Sequence, residues 1–472
     1  MDTDIDSSNY NVQNLWKKIN KNYQIHVTKS TTKSEEINEK VVYIDDLEKR
    51  KEAYGICGEC NEPGTGWYWC QPCNAKRFKE NFKNWTSGNK DIDELIQHSQ
   101  LNALCNKKCL EWVPFENFEN VTYITKGGFG KIYSADWPEG HIHSWDIINQ
   151  KWKKNKTKVA LKSLDDSSNI STDFLNEIKS HITRNFILIV PCFGITQDPY
   201  TKDYMMVLQY CEDGNLRNCS SKYTKNKIGN LERIANGLLN IHNAEKVHKD
   251  FHSGNILCHN NIVLISDLGM CQPVNQSAEK GVYGVIPYMA PEVLRGCQYT
   301  KAADIYSFGI IINEYMSEEI PYSDIPHDYT LAVKICKGFR PKIAEDTPKL
   351  VADLIIKCWD AKAENRPTSK EIYQLIKKWK DEMQDKNSEI YSQIKEYEKN
   401  KRKKSLDILN NNISKNLQTH PQAIYTSRLL NFSNLSEVAN SDIPSISSNP
   451  ISECFDCELD QLDLNDLNQD DN

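Results

Sequence analysis

Two acidic side chains and an asparagine follow short apolar stretches in the middle of the chain. Asp250 precedes Asn255 by five residues, and Asp267 follows the apolar pair Leu264–Ile265 after one serine. A carboxylate and an amide carbonyl are hard oxygen ligands of the kind that Mg²⁺ prefers. The second carboxylate is then available to orient a hydroxyl group and accept its proton. This combination of residues indicates chemistry on a phosphate group.

A lysine at the end of a short apolar strand points to the same chemistry. The strand is Val159–Lys162, and a buried ammonium needs an anionic partner. A helical pattern begins at Asp173 and places Glu177 where it could pair with Lys162. Taken alone, this pair could equally be an ordinary surface ion pair.

A glycine-rich turn lies between two stretches of alternating apolar residues. The segment Ile124–Tyr133 contains Gly127, Gly128 and Gly130, which leave no Cβ to obstruct a close approach. We expect two strands joined by a loop that can approach a phosphate closely. By itself the pattern is also typical of an ordinary hairpin turn.

Four cysteines near the N-terminus have the spacing of a metal site. Cys57 and Cys60 form one C-x2-C pair, Cys70 and Cys73 form a second, and nine residues separate the pairs. Two such turns supply the four tetrahedral ligands of a closed structural Zn²⁺ site. A segment this small is also difficult to fold without a cross-link, which favours metal. The alternative is free thiols or a redox pair.

Composition excludes several classes of protein. The 472 residues carry a formal net charge of −7, which argues against a strongly basic nucleic-acid-binding protein. No apolar run approaches the roughly 20 residues that span a bilayer, so no membrane association is expected. Met1–Gln13 lacks the features of a secretory signal. In the reducing compartment that this implies, the sixteen cysteines are expected to be free thiols or metal ligands.

Changes in composition along the chain suggest four regions. We expect a flexible arm over 1–51, a Cys-rich module with a helical linker over 52–117, and a catalytic region over 118–380. Residues 381–472 are expected to form a charged helix followed by a disordered acidic tail.

The central motifs, taken in order, resemble those of the eukaryotic protein kinase superfamily. The resemblance extends from about Phe118 to Trp379. It rests on the glycine-rich loop, the strand lysine, and the motifs His248-Lys249-Asp250, Asn255, Asp267-Leu268-Gly269 and Ala290-Pro291-Glu292. Cys358-Trp359 and Arg366-Pro367-Thr368 look most like the tyrosine-kinase-like group. A Cys-rich module ahead of the kinase region is similar to that of large fungal families of such kinases.

This resemblance implies an α+β, bilobal protein kinase fold. The small N-lobe would be rich in β-structure and the larger C-lobe helical, with a zinc-ribbon-like module in front and flexible termini. Asp304 would brace the catalytic loop, and Glu292 and Arg366 would form a structural ion pair.

The resemblance also assigns roles to individual residues. Lys162, held by Glu177, would contact the phosphates of ATP, and Asp250 would orient the substrate hydroxyl. Asn255 and Asp267 would hold Mg²⁺. ATP binding is further assigned to Ile124, Thr125, Lys126, Gly127, Gly128, Phe129, Gly130, Lys131, Ile132, Ala160, Gln209 and Cys211.

Several positions depart from the family pattern. Thr125 replaces the first loop glycine, Lys249 the usual arginine, and His252 the lysine common in Ser/Thr kinases. We expect transfer of the γ-phosphate of Mg-ATP to protein Ser/Thr hydroxyls in intracellular signalling. The alternatives are a tyrosine or dual-specificity kinase, or a pseudokinase scaffold that binds ATP or partners without turnover. The segment 141–158 is expected to be an exposed loop, and Ser277 and Tyr283 are candidate phosphorylation sites.

The expected partners are proteins. Substrates would present Ser/Thr hydroxyls, and the Cys-rich module could bind a protein of its own, whereas nucleic acid is not expected. We expect a cytoplasmic protein, and the basic run Lys399–Lys404 leaves a nuclear pool open.

Overall fold

The computed structural model describes residues 24–28, 41–127, 130–164, 172–182, 188–219, 226–273, 282–410 and 419–430. The elements of its first half are β1 (Gln24–Thr28), β2 (Val41–Tyr43), α1 (Leu47–Tyr54), α2 (Gln71–Asn81), α3 (Lys90–Asn102), β3 (Glu111–Trp112), β4 (Glu119–Gly127), β5 (Gly130–Asp146), β6 (Lys151–Leu164), α4 (Thr172–Ile182), β7 (Cys192–Gln197) and β8 (Tyr204–Gln209).

The second half contains most of the helices. Its elements are α5 (Leu216–Cys219), α6 (Lys227–Asn243), β9 (Lys246–Val247), β10 (Ile256–His259), β11 (Ile262–Ile265), β12 (Gln272–Pro273), β13 (Val282–Gly284), α7 (Pro291–Leu294), α8 (Lys301–Ser317), α9 (Tyr329–Cys336), α10 (Lys349–Cys358), α11 (Ser369–Glu382), α12 (Glu389–Asn410) and β14 (Arg428–Leu430).

A six-stranded sheet forms the first lobe, in the order β3-β7-β8-β6-β5-β4. Its neighbouring strands are antiparallel except for β3 and β7, which run parallel. Phe174 and Ile178, one turn apart on α4, are fully buried in an apolar cluster with Ile195 and Met206 of the sheet. This packing brings Glu177, on the same helix, close to β6.

The second lobe is built around a larger apolar core. Phe308 and Ile312 of α8 are fully buried in it, together with Leu238 of α6. Local signals fix the helix boundaries: Thr368 and Glu371 form a reciprocal capping box at the start of α11. The predicted α+β, two-lobed fold is confirmed. Among the helices that the structure describes, none is both long enough and apolar enough to cross a membrane.

The segment 141–158 differs from the exposed loop that the sequence predicts. β5 and β6 continue as one antiparallel hairpin from the Gly130–Leu164 pair to the Asp146–Lys151 pair. The strands approach closely at Gly140, where φ is +71° and a Cβ would lie 1.6 Å from a backbone oxygen of β6. The five lysines in the N-terminal part of β6 are exposed as expected, namely Lys151, Lys153, Lys154, Lys156 and Lys158.

The far end of this hairpin packs against the cysteine-rich module. The ring of Trp152 stacks on Phe78 of α2, with centroids 4.8 Å apart, and on Trp69, at 5.9 Å. The Arg77 guanidinium lies 4.3 Å from the centroid of the Trp145 ring. Aromatic residues at the tip of an otherwise polar hairpin are therefore the residues that join the module to the sheet.

Some described residues within the predicted N-terminal arm and C-terminal tail form secondary structure. Helix α1 begins at Leu47, inside the predicted arm 1–51, and β1 pairs with β2. In the region predicted to be a disordered tail, β14 pairs antiparallel with β13, and Leu430 is buried. The helix predicted after residue 388 is present as α12. The predicted acidic tail beyond residue 430 lies outside the described residues.

The cysteines outside the four-residue cluster are mostly buried. Cys219 and Cys258, both fully buried, are joined by a disulfide, whereas the sequence predicts free thiols. Cys105 and Cys109 flank a single 3-10 turn. Cys109 is buried and Cys105 is half-buried.

Candidate active site and cysteine cluster

The ammonium group of Lys162 lies between two carboxylates in the cleft between the lobes. Its Nζ donates to Glu177 Oε1 at 2.7 Å and to Asp267 Oδ1 at 2.8 Å. Burial would lower the pKa of Lys162, but the charges of Asp267 and Glu177 outweigh burial and raise the pKa above its usual value. The lysine therefore remains protonated and is positioned by the helix and by the turn after β11.

A short hairpin lies between Asn255 and Asp267 in the chain and brings the two residues close together in space. Ile256 and Ile265, at the open end of the β10–β11 pair, are register partners. The Ser266 N–H donates to the Asn255 carbonyl oxygen at 2.8 Å. The side-chain amide of Asn255 donates to Asp250, at 2.9 Å to the backbone oxygen and 3.2 Å to Oδ2. The three residues predicted from the sequence thus lie together.

The loop that carries Asp250 is held from below by Asp304 of α8. The carboxylate of Asp304 accepts hydrogen bonds from the backbone N–H groups of His248, at 2.8 Å, and Lys249, at 3.1 Å. It also contacts His242 Nε2 at 2.9 Å. Lys249 has a positive φ of +69°, which costs energy in a non-glycine residue, and the two hydrogen bonds hold the backbone there.

Asp250 is almost fully buried and surrounded by polar groups. Ser427 Oγ donates to Asp250 Oδ2 at 2.5 Å, and His252 Nε2 lies 3.6 Å from the same oxygen. Burial would raise the pKa of Asp250, but the polar contact with His252 and the hydrogen bond from Ser427 leave the pKa below its usual value. The carboxylate is therefore ionised and able to accept a proton.

Most of the predicted nucleotide-binding residues lie on β4, β5, β6 and β8 of the sheet. Thr125 pairs with Ile132, Lys126 with Lys131 and Gly127 with Gly130 in the β4–β5 ladder. In the β6–β8 ladder, Ala160 pairs with Leu208 and Val159 with Gln209. Ile124 is exposed and Cys211 is buried. Gly128 and Phe129 lie outside the described residues.

The structure adds Ser427, which the sequence analysis did not identify. Its hydroxyl reaches Asp250 across 177 positions of sequence. Tyr283, predicted as a phosphorylation site, donates its hydroxyl to the Ser427 carbonyl oxygen at 3.1 Å. Ser277, the other predicted site, lies outside the described residues. The only local signal was the apolar pair Leu429–Leu430 in a polar stretch, which does not identify a catalytic partner.

An ion pair braces the second lobe away from the cleft. Arg366 donates to both oxygens of Glu292, at 2.6 and 2.8 Å, in a bidentate arrangement. Its side chain also donates to the backbone oxygens of Asp360 and Ala302. This contact is structural and lies where the sequence analysis expects it.

The four cysteines predicted to bind metal converge on one point. Their Sγ atoms all lie within 4.8 Å of one another, with 3.9 Å between Cys57 and Cys73 and 3.6 Å between Cys60 and Cys70. A tetrahedral Zn²⁺ with Zn–S bonds of about 2.3 Å separates its sulfurs by about 3.8 Å. The donor set is therefore compatible with a structural zinc ion.

Comparison with known proteins gives consistent results. The family described as protein tyrosine and serine/threonine kinase matches residues 118–376. A serine/threonine-protein kinase of Arabidopsis thaliana, VIK, is 29% identical over 300 residues, which cover 58% of this chain and 63% of that protein. A Dictyostelium discoideum protein, gdt4, whose name describes a serine/threonine-protein kinase, is 26% identical over 285 residues, covering 56% of this chain and 16% of its own length. The chain thus spans less than two thirds of these curated relatives.

Proposed function

Because the chain belongs to the family of protein tyrosine and serine/threonine kinases, we propose that it transfers the γ-phosphate of ATP to Ser/Thr hydroxyls of proteins. The observation that carries this proposal is the position of the Lys162 ammonium between Glu177 and Asp267. A second acid, Asp250, lies beside Asn255 in the same cleft. Together they supply a cation for phosphate oxygens, ligands for a divalent ion and a proton acceptor.

Each side chain has one task in this proposal. Lys162 binds phosphate oxygens of ATP, and Glu177 keeps the ammonium in place. Asp250 aligns the acceptor hydroxyl and takes its proton as the new O–P bond forms. The work is positioning and charge neutralisation, because phosphoryl transfer needs little covalent chemistry from the protein.

The residues also fit the magnesium that kinases use. Asn255 donates its amide N–H groups to Asp250, which leaves its carbonyl oxygen as the ligand atom. The Asp267 carboxylate offers the second protein ligand, and such sites normally complete their shell with water and substrate phosphates. Bound Mg²⁺ would neutralise charge on the phosphates.

Acceptor class and subgroup rest on resemblance. The Ser/Thr preference is supported by the names of the relatives. Membership of the tyrosine-kinase-like group is supported by Cys358-Trp359 and Arg366-Pro367-Thr368, and a fungal-type arrangement by the Cys-rich module. A pseudokinase is less well supported because Lys162, Glu177 and Asp267 are joined by short hydrogen bonds.

The cysteine cluster is proposed to hold a structural Zn²⁺ ion. The support is the sulfur spacing together with the contact of the module with the hairpin tip through Trp69 and Trp152. The remaining surface of the module is proposed to bind a protein partner. Cytoplasmic and nuclear pools are both compatible with the proposed function.

The experiment that tests this function is transfer of labelled γ-phosphate from Mg-ATP to a generic protein substrate. We expect label on serine or threonine, and Asp267→Asn should abolish it because the divalent-ion site loses its carboxylate. Phosphotyrosine in the product would replace the Ser/Thr assignment. Nucleotide binding without any transfer would support the scaffold instead.

A further inference from the structure

A segment that follows α12 in the chain crosses the catalytic cleft. Residues 419–430 are anchored at the second lobe through several hydrogen bonds. The His420 N–H donates to the Ser323 carbonyl oxygen at 2.8 Å, and the Tyr425 hydroxyl donates to the Pro321 carbonyl oxygen at 2.7 Å. The ring of Tyr425 also lies 4.6 Å from the Arg217 guanidinium. These anchors hold the segment upstream of Ser427.

Backbone pairing holds the segment downstream of Ser427. Arg428 is the register partner of Gly284, and Leu430 is the partner of Val282. Leu430 is only 6% exposed and belongs to the core of the second lobe. Because the chain is fixed on both sides, the position of Ser427 is determined by the fold rather than by its own side chain.

The fixed position places the Ser427 hydroxyl on the carboxylate proposed to accept a proton. Ser427 Oγ lies 2.5 Å from Asp250 Oδ2 and 3.3 Å from His252 Nε2. His252 Nδ1 accepts the Gly254 N–H at 3.1 Å, so the ring proton is on Nε2 and faces the two oxygens. Ser427 is 9% exposed, so its hydroxyl is turned away from solvent.

We propose that Ser427 is a phosphoacceptor for the active site of its own chain, an inference that rests on the proposed function. The hydroxyl occupies the position in which Asp250 would hold the hydroxyl of a protein substrate. In the step, Ser427 Oγ bonds to the γ-phosphorus of ATP and the bond from that phosphorus to the bridging oxygen breaks. The Oγ proton passes to Asp250, and ADP leaves with the electron pair of the broken bond.

A purely structural hydrogen bond would explain the same contact. It would predict a segment that fills the cleft and is never modified. The two explanations differ in one product. Only the proposal predicts a phosphate on Ser427 that forms without a second copy of the protein. Thr426, the adjacent hydroxyl residue, is exposed and provides the matched control.

The test is phosphosite mapping of the full chain after phosphatase treatment and incubation with Mg-ATP, with a generic protein substrate in a parallel reaction. We expect phosphate on Ser427, formed at a rate per molecule that does not change on dilution. Ser427→Ala should remove this site, Thr426→Ala should leave it, and Ser427→Thr should give phosphothreonine at the same position. Asp267→Asn should carry no phosphate.

The parallel reaction separates this inference from the proposed function. Transfer to the added substrate with Ser427 unmodified would overturn the inference and leave the kinase activity standing. A rate per molecule that rises with protein concentration would show transfer between molecules and would also overturn it. If neither the chain nor the added substrate is labelled, the proposed function fails and the inference fails with it.

Discussion

The catalytic cleft and the cysteine cluster both gather side chains from separate parts of the chain, but they are held in different ways. In the cleft, Lys162 lies between Glu177 and Asp267, so opposite charges stabilise one another. In the cluster, the four converging groups are alike, and their thiolates repel unless a cation lies between them. The cleft can therefore form before its ligands arrive, whereas the cluster with the proposed zinc site is expected to depend on its ion.

The apolar core around the cleft is also larger than the apolar clusters around the cysteines. The second lobe, which carries Asp250 and Asn255, has a continuous apolar core centred on α6 and α8. The cysteine module has small clusters, one around Trp69 and Phe78 and another around Val42, Ala53 and Tyr54. A small core contributes little stability by itself, so metal is expected to supply much of it.

The largest effect is expected when a ligand of the proposed zinc site is removed. Cys70→Ser should remove one ligand, and since structural Zn²⁺ sites contribute on the order of 10 kcal/mol to folding, we expect the module to unfold locally. The backbone amides of residues 56–73 should then lose their protection from hydrogen exchange. The melting temperature of the second lobe should stay nearly unchanged.

The matched control is Cys297→Ser, a change at an exposed cysteine outside the cluster. It should leave both bound zinc and protection unchanged. If wild-type protein purified without chelator contained no zinc, the proposal that the cysteine cluster depends on a metal ion would be wrong.

A change in the cleft should have the converse effect. Lys162→Met removes the cation that faces the phosphates, and losing one such preorganised group typically lowers turnover about 10²- to 10³-fold. Phosphate transfer should fall by that factor, and zinc content should stay unchanged.

Lys156→Met, on the exposed face of the same strand, is the control and should retain wild-type turnover. Equal losses in the two variants would mean that the position of the charge in the cleft does not matter.

The smallest expected effect concerns the hairpin tip that joins the two regions. Hydrogen bonds from the side chain and backbone of Asn149 lower the pKa of Asp146 to about 2. A carboxylate whose pKa is lower in the folded state stabilises the fold at pH values above its unfolded-state pKa. This stabilisation is lost as the pH falls from about 4 to about 2. Because the adjoining turn residues 148–150 are exposed, solvent screens this charge, and we expect a contribution of less than about 1 kcal/mol.

The measurement is the difference in unfolding free energy between wild type and Asp146→Asn, followed from pH 6 to pH 3. The difference should shrink on acidification. A constant difference would mean that the Asp146 carboxylate does not contribute through its charge.

The candidate residues of the cleft could be singled out because their chemistry restricts their sequence. A lysine in an apolar strand and carboxylates after short strands are rare unless something pairs with them, so Lys162, Asp250 and Asp267 stand out. The cysteine cluster was similarly evident from two C-x2-C pairs, and the four sulfurs do converge. For the cysteines, residue type and local spacing were enough, whereas the roles of the cleft residues were predicted from the resemblance to protein kinases.

What could not be predicted depends on contacts between distant parts of the chain. Trp152 lies in a lysine-rich stretch that favours a solvated loop, and only its stacking on Phe78 reveals that the hairpin packs against the cysteine-rich module. Ser427 lies in a polar, low-complexity region, and its partner Asp250 is 177 residues away. Neither contact leaves a periodic pattern or a motif in the sequence.

The segment across the cleft has a consequence for competition between substrates. The segment belongs to the same chain as the cleft and is anchored on both sides of Ser427. Its effective concentration at the cleft is therefore set by the fold and not by the concentration of the protein. A separate substrate must then reach the cleft against an intramolecular rival that dilution does not weaken. The apparent Michaelis constant for outside proteins would accordingly report the opening of this segment as much as their own affinity.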